Sequence, residues 1–345
     1  MLSDITLLSK YRRPLMGIAI LWITLYHCLA DPVQALGVPV LREVLNSGWL
    51  GVEIFLFLSG IGLYFSMSKN SAAKPFYLRR VQKVIIPWLI LSLPYWIIKT
   101  LVFDRMRVRA LLLNWCGASF WLFGVKSVWY IAFLVVLYAL YPLIFRLQKK
   151  NAGIIIVLIA AAFVLNVVML LTVPAYYAKT ELAFARIPVF LLGSLTGGLL
   201  KSGRKSRGIN FGFACYTAGT LALFVTGLLL AGRGADRTEG SAVNMLIRIG
   251  GQGAALPVMC GFCLLFEKRK LPRFQRAADF LGGFTLELYL LHVFLGHIAE
   301  RIGFDDTKSL PVQFLVQLAV IALSAAGAWG FSRRYGKISA GHAQA

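Results

Sequence analysis

The segment GWLGVEIFLFLSGIGLYF, residues 48–65, decides the fold class of this chain. It contains one charged side chain, Glu53, and otherwise consists almost entirely of apolar and small residues. A helix needs about 20 such residues to cross the hydrocarbon core of a bilayer. The segment therefore predicts a transmembrane helix over 49–68, with Glu53 inside it.

The composition extends this interpretation to the whole chain of 345 residues. Hydrophobic residues make up 59% and charged residues 14%, with a mean hydropathy of +0.74. Soluble domains carry about 25% charged residues, and no stretch between the apolar segments is long enough to fold as a soluble domain. We therefore predict an all-α integral membrane protein in which residues 1–345 form a single membrane domain.

Apolar runs of sufficient length predict about ten transmembrane helices. Their approximate ranges are 14–30, 49–68, 84–103, 127–145, 153–173, 182–200, 209–231, 244–266, 277–297 and 311–331. The apolar run at 111–124 is too short to span a bilayer, so we expect a short re-entrant or interfacial helix there.

Positive charge alternates between the two sides of the predicted membrane domain. The N-terminus and every second loop hold 23 Lys and Arg residues, Arg204 and Lys205 among them, and the other loops hold 11. Because cytosolic loops carry the excess of positive charge, both termini are predicted to be cytosolic. The same pattern accounts for the net charge of +22. Nucleic-acid binding needs a continuous basic face, so we expect no nucleic-acid partner.

The five cysteines are too few and too scattered for a disulfide framework. Cys260 and Cys263 form a C-x-x-C inside an apolar segment, with no His or acidic ligand nearby. This setting favours packing at a helix contact over metal binding, so no metal site is expected.

Five polar or aromatic residues fall at one depth when the predicted helices are placed in the bilayer. At a rise of 1.5 Å per residue they lie about 21 to 26 Å from the cytosolic edge, in the outer half of a core about 30 Å thick. They are His27, Glu53, Trp129, Arg186 and His292. Ionisable groups in hydrocarbon are costly and usually functional, so we predict an intramembrane site that opens outward.

Two of the five have simpler structural interpretations. Trp129 is also typical of an interfacial aromatic belt, and the side chain of Arg186 is long enough to snorkel. His27 and Glu53 would each be costly alone and each can neutralise the other, which favours a functional pair.

Six separated segments resemble the acyltransferase 3 family of multispan membrane acyltransferases, and together they extend over most of the chain. They are MGIAILWITLYH ending at His27, GWLGVEIFLFLSGIGLYF containing Glu53, FYLRRVQKVIIPW, VWYIAFLVVLYALYPLIF, ARIPVFLLGSLTGG and GGFTLELYLLHVFL.

The resemblance implies a ten-helix acyltransferase that takes an acyl group, usually acetyl, from cytosolic acyl-CoA. It implies a hydroxyl acceptor on a surface glycan or a lipid-linked sugar, in a multi-pass protein of the bacterial inner or plasma membrane. The lipid bilayer, acyl-CoA and the sugar are the expected partners, and no tightly bound cofactor is expected.

The family motifs also suggest roles for individual residues. His27 is the expected base and Glu53 the group that orients its ring. The expected donor-binding residues are Arg13, Arg79, Arg80 and Lys83. The expected acceptor or pocket residues are Trp129, Tyr130, Arg186, Tyr289 and His292.

One position departs from the family pattern. The family often has an arginine eleven residues before the first-helix histidine, where this chain has Met16. Arg13 lies on the same helical face, about one turn closer to the cytosol. We expect Arg13 to take that role, because any guanidinium group that can reach the donor phosphates can bind them through its N–H donors.

Two other functional classes stay open at this stage. His27 and Glu53 also suit a proton-coupled transporter or exporter, although the internal repeats found in many transporters are not evident. The Met16 departure suits a noncatalytic acyltransferase-like partner in glycan assembly.

Overall fold

The computed structural model of the chain describes residues 6–203, 207–304 and 309–341. The described residues form helices joined by short connections and contain no β-strand, so the protein is an all-α integral membrane protein, as predicted. Arg204 and Lys205, which contribute to the predicted charge pattern, lie outside the described residues.

Nine helical stretches within the described ranges are long and apolar enough to cross a bilayer. They are Arg12–Gln34, Pro39–Lys69, Ala73–Phe103, Lys126–Lys150, Gly153–Thr172, Pro174–Lys201, Phe211–Gly232, Ala242–Glu267 and Leu310–Lys337. Each contains or nearly matches one predicted span, so nine of the predicted spans are confirmed as helices. Most extend beyond the apolar run because the helix continues into polar flanking turns.

The remaining predicted span, 277–297, is a broken helix. Pro272–Leu281 and Thr285–Arg301 are bent by 76° relative to each other, and together they are long and apolar enough to form a tenth span. The sequence predicted the apolar length of this segment but not its bend. A Cβ atom at Gly282 would lie 2.1 Å from the carbonyl oxygen of Arg13. Glycine at the bend therefore allows the chain to pass directly against the first long helix.

The short apolar run at 111–124 forms parts of two helices. Val108–Trp115 and Ala118–Phe123 are separated at Gly117, which has a φ of +79°. This left-handed conformation favours glycine and interrupts the helix. Neither helix is long enough to cross a bilayer.

Two compact units divide the chain. The first, here called unit 1, comprises Met1–Arg12, Val52–Tyr77 and Gly117–Pro272, and unit 2 comprises Arg13–Gly51, Leu78–Cys116 and Arg273–Ala345. Each combines three separated stretches, so neither corresponds to a continuous part of the sequence.

Helices of unit 1 approach one another closely through small residues. Its helices are Thr6–Lys10, Gly51–Lys69, Ala118–Phe123, Lys126–Val128, Trp129–Lys150, Gly153–Thr172, Pro174–Phe184, Ile187–Lys201, Arg207–Gly232 and Ala242–Glu267, and Ala73–Arg80 begins in it. A Cβ atom at Gly193 would lie 2.0 Å from the carbonyl oxygen of Phe57. Small residues of this kind let transmembrane helix backbones meet, and this contact joins the helices that carry Glu53 and Arg186.

Unit 2 is built around the first long helix and the broken helix. Its helices are Arg12–Gln34, Pro39–Asn46, Ser47–Leu50, Val81–Ile85, Ile86–Ile97, Ile98–Phe103, Val108–Trp115, Pro272–Leu281, Thr285–Arg301 and Leu310–Gly341. Val81–Ile85 is π-helical. It precedes Pro87, which has no N–H to offer the carbonyl group of Lys83 four residues earlier. Cys28, Ala299 and Val320 form a buried cluster in this unit.

Candidate active site

Two histidine rings meet in unit 2. Helix Arg12–Gln34 carries His27 and helix Thr285–Arg301 carries His292. The Nδ1 atom of His27 lies 2.9 Å from the Nε2 atom of His292, and the ring planes are within 18° of parallel, with centroids 5.1 Å apart. The sequence singled out both residues, and the structure brings them into direct contact.

A main-chain carbonyl group determines which nitrogen of each neutral ring carries the proton. The Nδ1 atom of His292 lies 2.8 Å from the carbonyl oxygen of Leu288. A carbonyl oxygen only accepts, so Nδ1 of His292 carries its proton and Nε2 is the acceptor. The Nδ1–H group of His27 then donates to that Nε2. Neutral His27 consequently keeps its lone pair on its own Nε2, where it can accept a proton.

The two histidines differ in accessibility. His292 is 1% exposed, whereas His27 is exposed. The ring of Tyr289 packs edge-on against His292, with centroids 5.7 Å apart, and the ring of Tyr26 lies 5.0 Å from that of His27. Buried His292 can therefore act as a fixed support, and His27 is the ring that a substrate can reach.

Glu53 and Arg186 form a buried ion pair in unit 1. The Nε atom of Arg186 lies 2.8 Å from Oε1 of Glu53, and the two side chains are 2% and 0% exposed, respectively. The guanidinium group also lies over the ring of Trp129 at 4.9 Å, a cation–π contact. Its Nη1 atom donates to the carbonyl oxygen of Leu182. Three residues of the predicted site therefore form one cluster.

Arg186 lies at a break in the helical stretch Pro174–Lys201. Pro188 lacks an N–H, so the carbonyl group of Phe184 loses its helical partner. The side-chain amide of buried Asn166 donates to that oxygen at 3.1 Å. Irregular backbone at membrane depth is tolerated where such partners exist. The break is thus stabilised locally, and Arg186 is held at it.

The remaining predicted pocket residues, Tyr130 and Tyr289, are buried aromatics. Tyr130 is 8% exposed and its ring lies 5.6 Å from that of Trp129 and 6.4 Å from that of Phe55. Tyr289 is 7% exposed. Tyr130 packs against Trp129 of the Glu53–Arg186 cluster, and Tyr289 packs against His292 of the histidine pair. These contacts suit a supporting role for both rings.

The basic residues predicted to bind the donor lie around the π-helical segment of unit 2. Arg79 and Arg80 end helix Ala73–Arg80, and exposed Lys83 lies within Val81–Ile85. The Nη2 atom of Arg79 is buried and has no hydrogen-bond partner among the described residues. A buried donor without a partner is costly, and an anion would satisfy it.

Arg13 is the most exposed of the predicted donor-binding arginines. Its side chain is 60% exposed, and its Nε atom lies 3.7 Å from Oδ2 of Asp279. Surface ion pairs of this kind contribute little, so the guanidinium group is available to another anion. Met16, one turn along the helix, is partly buried.

A second, partly buried ion pair in unit 1 was not predicted from the sequence. Arg248 donates through Nε to Oε1 of Glu181 at 3.0 Å, and the carboxylate also accepts from the main-chain N–H of Gly240 and the side chain of Asn244. This carboxylate is well satisfied, which indicates a structural role. The pair could have been suspected from the sequence, because Glu181 and Arg248 carry opposite charges near the ends of two apolar runs.

Glu53 and His27 each have a partner within their own unit. Glu53 contacts Arg186 in unit 1, and His27 contacts His292 in unit 2. The orientation of His27 by Glu53 stays a prediction. Across the described ranges, no group of three or more His, Cys, Asp or Glu side chains is arranged to hold a metal ion.

The His27–His292 pair and the cluster of Glu53, Arg186 and Trp129 lie within the part of the chain that a protein-family model matches. The model of the acyltransferase domain of the acyltransferase 3 family matches residues 15–333, nearly the whole chain. No curated protein and no solved structure matches the chain significantly. The fold and this match define a membrane-embedded acyltransferase, and the chain belongs to the acyltransferase 3 family.

Proposed function

We propose that this protein is an O-acyltransferase that uses His27 as its base. It moves an acyl group from cytosolic acyl-CoA to a hydroxyl of a glycan or lipid-linked sugar on the outer side of the cell membrane. Acetyl is the acyl group that we propose. The observation that carries the proposal is the hydrogen-bond chain from the Leu288 carbonyl through His292 to His27. Family membership supports the reaction class.

The reaction requires one base and two proton transfers. Nε2 of His27 takes the proton of the acceptor hydroxyl while the hydroxyl oxygen bonds to the thioester carbonyl carbon. The tetrahedral oxyanion collapses, the carbon–sulfur bond breaks, and the CoA thiolate takes the proton back from Nε2. This direct transfer needs no covalent acyl-histidine and leaves His27 neutral, ready for another turnover.

His292 orients the base in this mechanism. Its Nε2 atom holds the Nδ1–H group of His27, much as the carboxylate of a serine-protease triad holds the histidine ring. The ring that accepts the proton is therefore fixed in one tautomer before the acceptor arrives. Glu53, which the family motifs also suggest for this orienting task, pairs with Arg186, and the guanidinium group of Arg186 lies over the ring of Trp129.

The donor phosphates are assigned to the basic residues at the predicted cytosolic end of unit 2. The buried Nη2 atom of Arg79, unpaired among the described residues, supports this assignment. Arg80, Lys83 and Arg13 add positive charge, and Arg13 takes the place of the arginine missing at Met16.

Sealed inside-out membrane vesicles test the proposal. Radiolabelled acetyl-CoA is added outside, at the cytosolic face, and a sugar acceptor is trapped in the lumen. The proposal predicts label on the luminal sugar, equal in amount to the CoA released. Label that appears only when the sugar is outside, beside the CoA, would contradict the outward-opening site.

The same vesicles separate an acyltransferase from a transporter. A proton-coupled transporter would move labelled sugar across the membrane without releasing CoA. Release of CoA that depends on the sugar identifies an acyltransferase, and vesicles that lack the protein provide the blank.

A further inference from the structure

A small cavity lined by both apolar and charged side chains lies in unit 2, beside the helix that carries His292. It has a volume of about 250 Å³. Its walls come from Thr285–Arg301 and from the end of the helix that contains Tyr95, Lys99 and Phe103. The predicted orientation places this end of unit 2 at the outer face of the membrane.

The cavity and the His27–His292 pair share the helix Thr285–Arg301. His297 lines it and lies five residues after His292, about 7.5 Å along the helix axis. Cys28, the neighbour of His27 in sequence, packs in the same buried cluster as Ala299, which lies between two wall residues of the cavity.

The charged groups at the cavity balance one another. Asp104 accepts from Lys99 at 2.5 Å and from Arg301 at 3.0 Å, so one carboxylate pairs with both cations. Glu300 is exposed at the wall and contributes a second carboxylate. The wall cations Lys99 and Arg301 are offset by Glu300 in the wall and by their shared partner Asp104, so a strongly anionic ligand gains no net attraction. The charged wall groups offer hydrogen-bond donors and acceptors to hydroxyl groups.

Aromatic rings form the apolar part of the wall. Tyr95 stacks on Phe294 with centroids 4.3 Å apart, and its hydroxyl lies 2.9 Å from Nδ1 of His297. Phe103 adds a second ring. Rigid aromatic surface combined with charged hydrogen-bonding groups suits a ligand that has both C–H faces and hydroxyls.

We propose that this cavity is the acceptor subsite and that it takes one neutral, polyhydroxylated ring. Its volume is below the roughly 300–1,000 Å³ of sites for drug-sized ligands, so it holds one ring of a larger acceptor. One hydroxyl of that ring reaches His27, and Glu300 and Arg301 bind others. This assignment rests on the proposed function, because it supplies the hydroxyl that His27 deprotonates.

The test uses two probe sugars and the full-length protein purified in detergent. Methyl α-D-glucopyranoside is the neutral probe and methyl α-D-glucopyranosiduronic acid is its anionic counterpart, with radiolabelled acetyl-CoA as the donor. We expect the neutral probe to be the better acceptor by kcat/KM. Preference for the anionic probe, or transfer to neither while the thioester is hydrolysed, would overturn the proposal.

Variants locate the subsite. Ile298→Trp fills the cavity and is expected to lower the ratio of sugar acylation to thioester hydrolysis about tenfold. Glu300→Gln is expected to raise KM for the sugar severalfold. The matched control is Glu43→Gln, an exposed glutamate of the same unit paired with Arg42, which should behave as wild type. An unchanged ratio in Ile298→Trp would overturn the proposal.

Binding measured without turnover distinguishes failure of this subsite from failure of the proposed function. Saturation-transfer NMR with methyl α-D-glucopyranoside should give a signal with wild type and Glu43→Gln, and little with Ile298→Trp. If the thioester is never consumed but this difference persists, the proposed function fails and the sugar site stands. Equal signals in all three proteins would overturn the subsite.

Discussion

The Nδ1 atom of His27 lies 2.9 Å from Nε2 of His292, whose own Nδ1 lies 2.8 Å from the carbonyl oxygen of Leu288. This chain leaves Nε2 of His27 as the free lone pair when both rings are neutral. Because His292 is 1% exposed and His27 is exposed, the two rings have different tasks: one is a fixed acceptor and the other meets the substrate.

Substitution of His292 tests its positioning role. In His292→Gln, the side-chain oxygen can accept from His27 and the amide N–H can donate to Leu288, so the side chain keeps both kinds of hydrogen-bonding group. In His292→Leu neither can form, and His27 is free to adopt the other tautomer. We expect the Gln variant to lose about tenfold in kcat and the Leu variant about 10²-fold or more. Equal losses at matched protein levels would contradict the positioning role.

The buried Glu53–Arg186 pair should behave as a coupled structural unit. Glu53→Gln or Arg186→Met leaves one buried charge uncompensated, which costs about 3–5 kcal/mol of stability. The double variant should lose less than the sum of the single losses. A double-mutant cycle on unfolding in detergent measures this coupling. Strictly additive losses would contradict the ion pair.

Close helix packing in unit 1 makes Gly193 sensitive to a single methyl group. A Cβ atom there would lie 2.0 Å from the carbonyl oxygen of Phe57. Gly193→Ala should therefore destabilise the protein by about 1–3 kcal/mol or prevent its folding. Gly219, also helical, has open space around its Cβ position among the described residues. Gly219→Ala is the control and should be neutral or stabilising, and equal thermal stability of the two variants would contradict the packing.

Arg79 should contribute to donor affinity more than to the chemical step. Arg79→Gln removes the guanidinium charge beside the predicted phosphate position, and we expect KM for acetyl-CoA to rise about tenfold with a smaller change in kcat. The control is Arg42→Gln, which removes an arginine paired with Glu43 at the predicted outer side. A rise in KM of the same size in both variants would contradict a specific role for Arg79.

The sequence predicted the helices well because bilayer thickness fixes the length of an apolar run. The bend at Gly282 could not be predicted from apolar length, since two adjacent glycines are compatible with either a straight or a bent helix. It depends on contact with Arg13, which lies far away in the sequence.

Helix depth selected residues that contact one another within each unit, but it did not determine which residues are partners. Helical rise put Glu53 and Arg186 within about 2 Å of the same depth, and their opposite charges were visible. The Glu53–Arg186 contact was not predicted, because the family pattern directed attention to Glu53 and His27. The His292–Leu288 hydrogen bond could not be foreseen, because rotation about the helix axis and the side-chain rotamer decide it. The cavity near His297 was missed for the same reason.

The most direct test of the central claim compares wild type and His27→Ala in sealed vesicles that contain equal amounts of each protein. Acyl transfer from acetyl-CoA to a trapped sugar is measured with and without added imidazole. With His27 as the base, the variant should lose about 10²–10⁴-fold in rate, and imidazole should restore part of it. Full acyl transfer by His27→Ala would contradict the account.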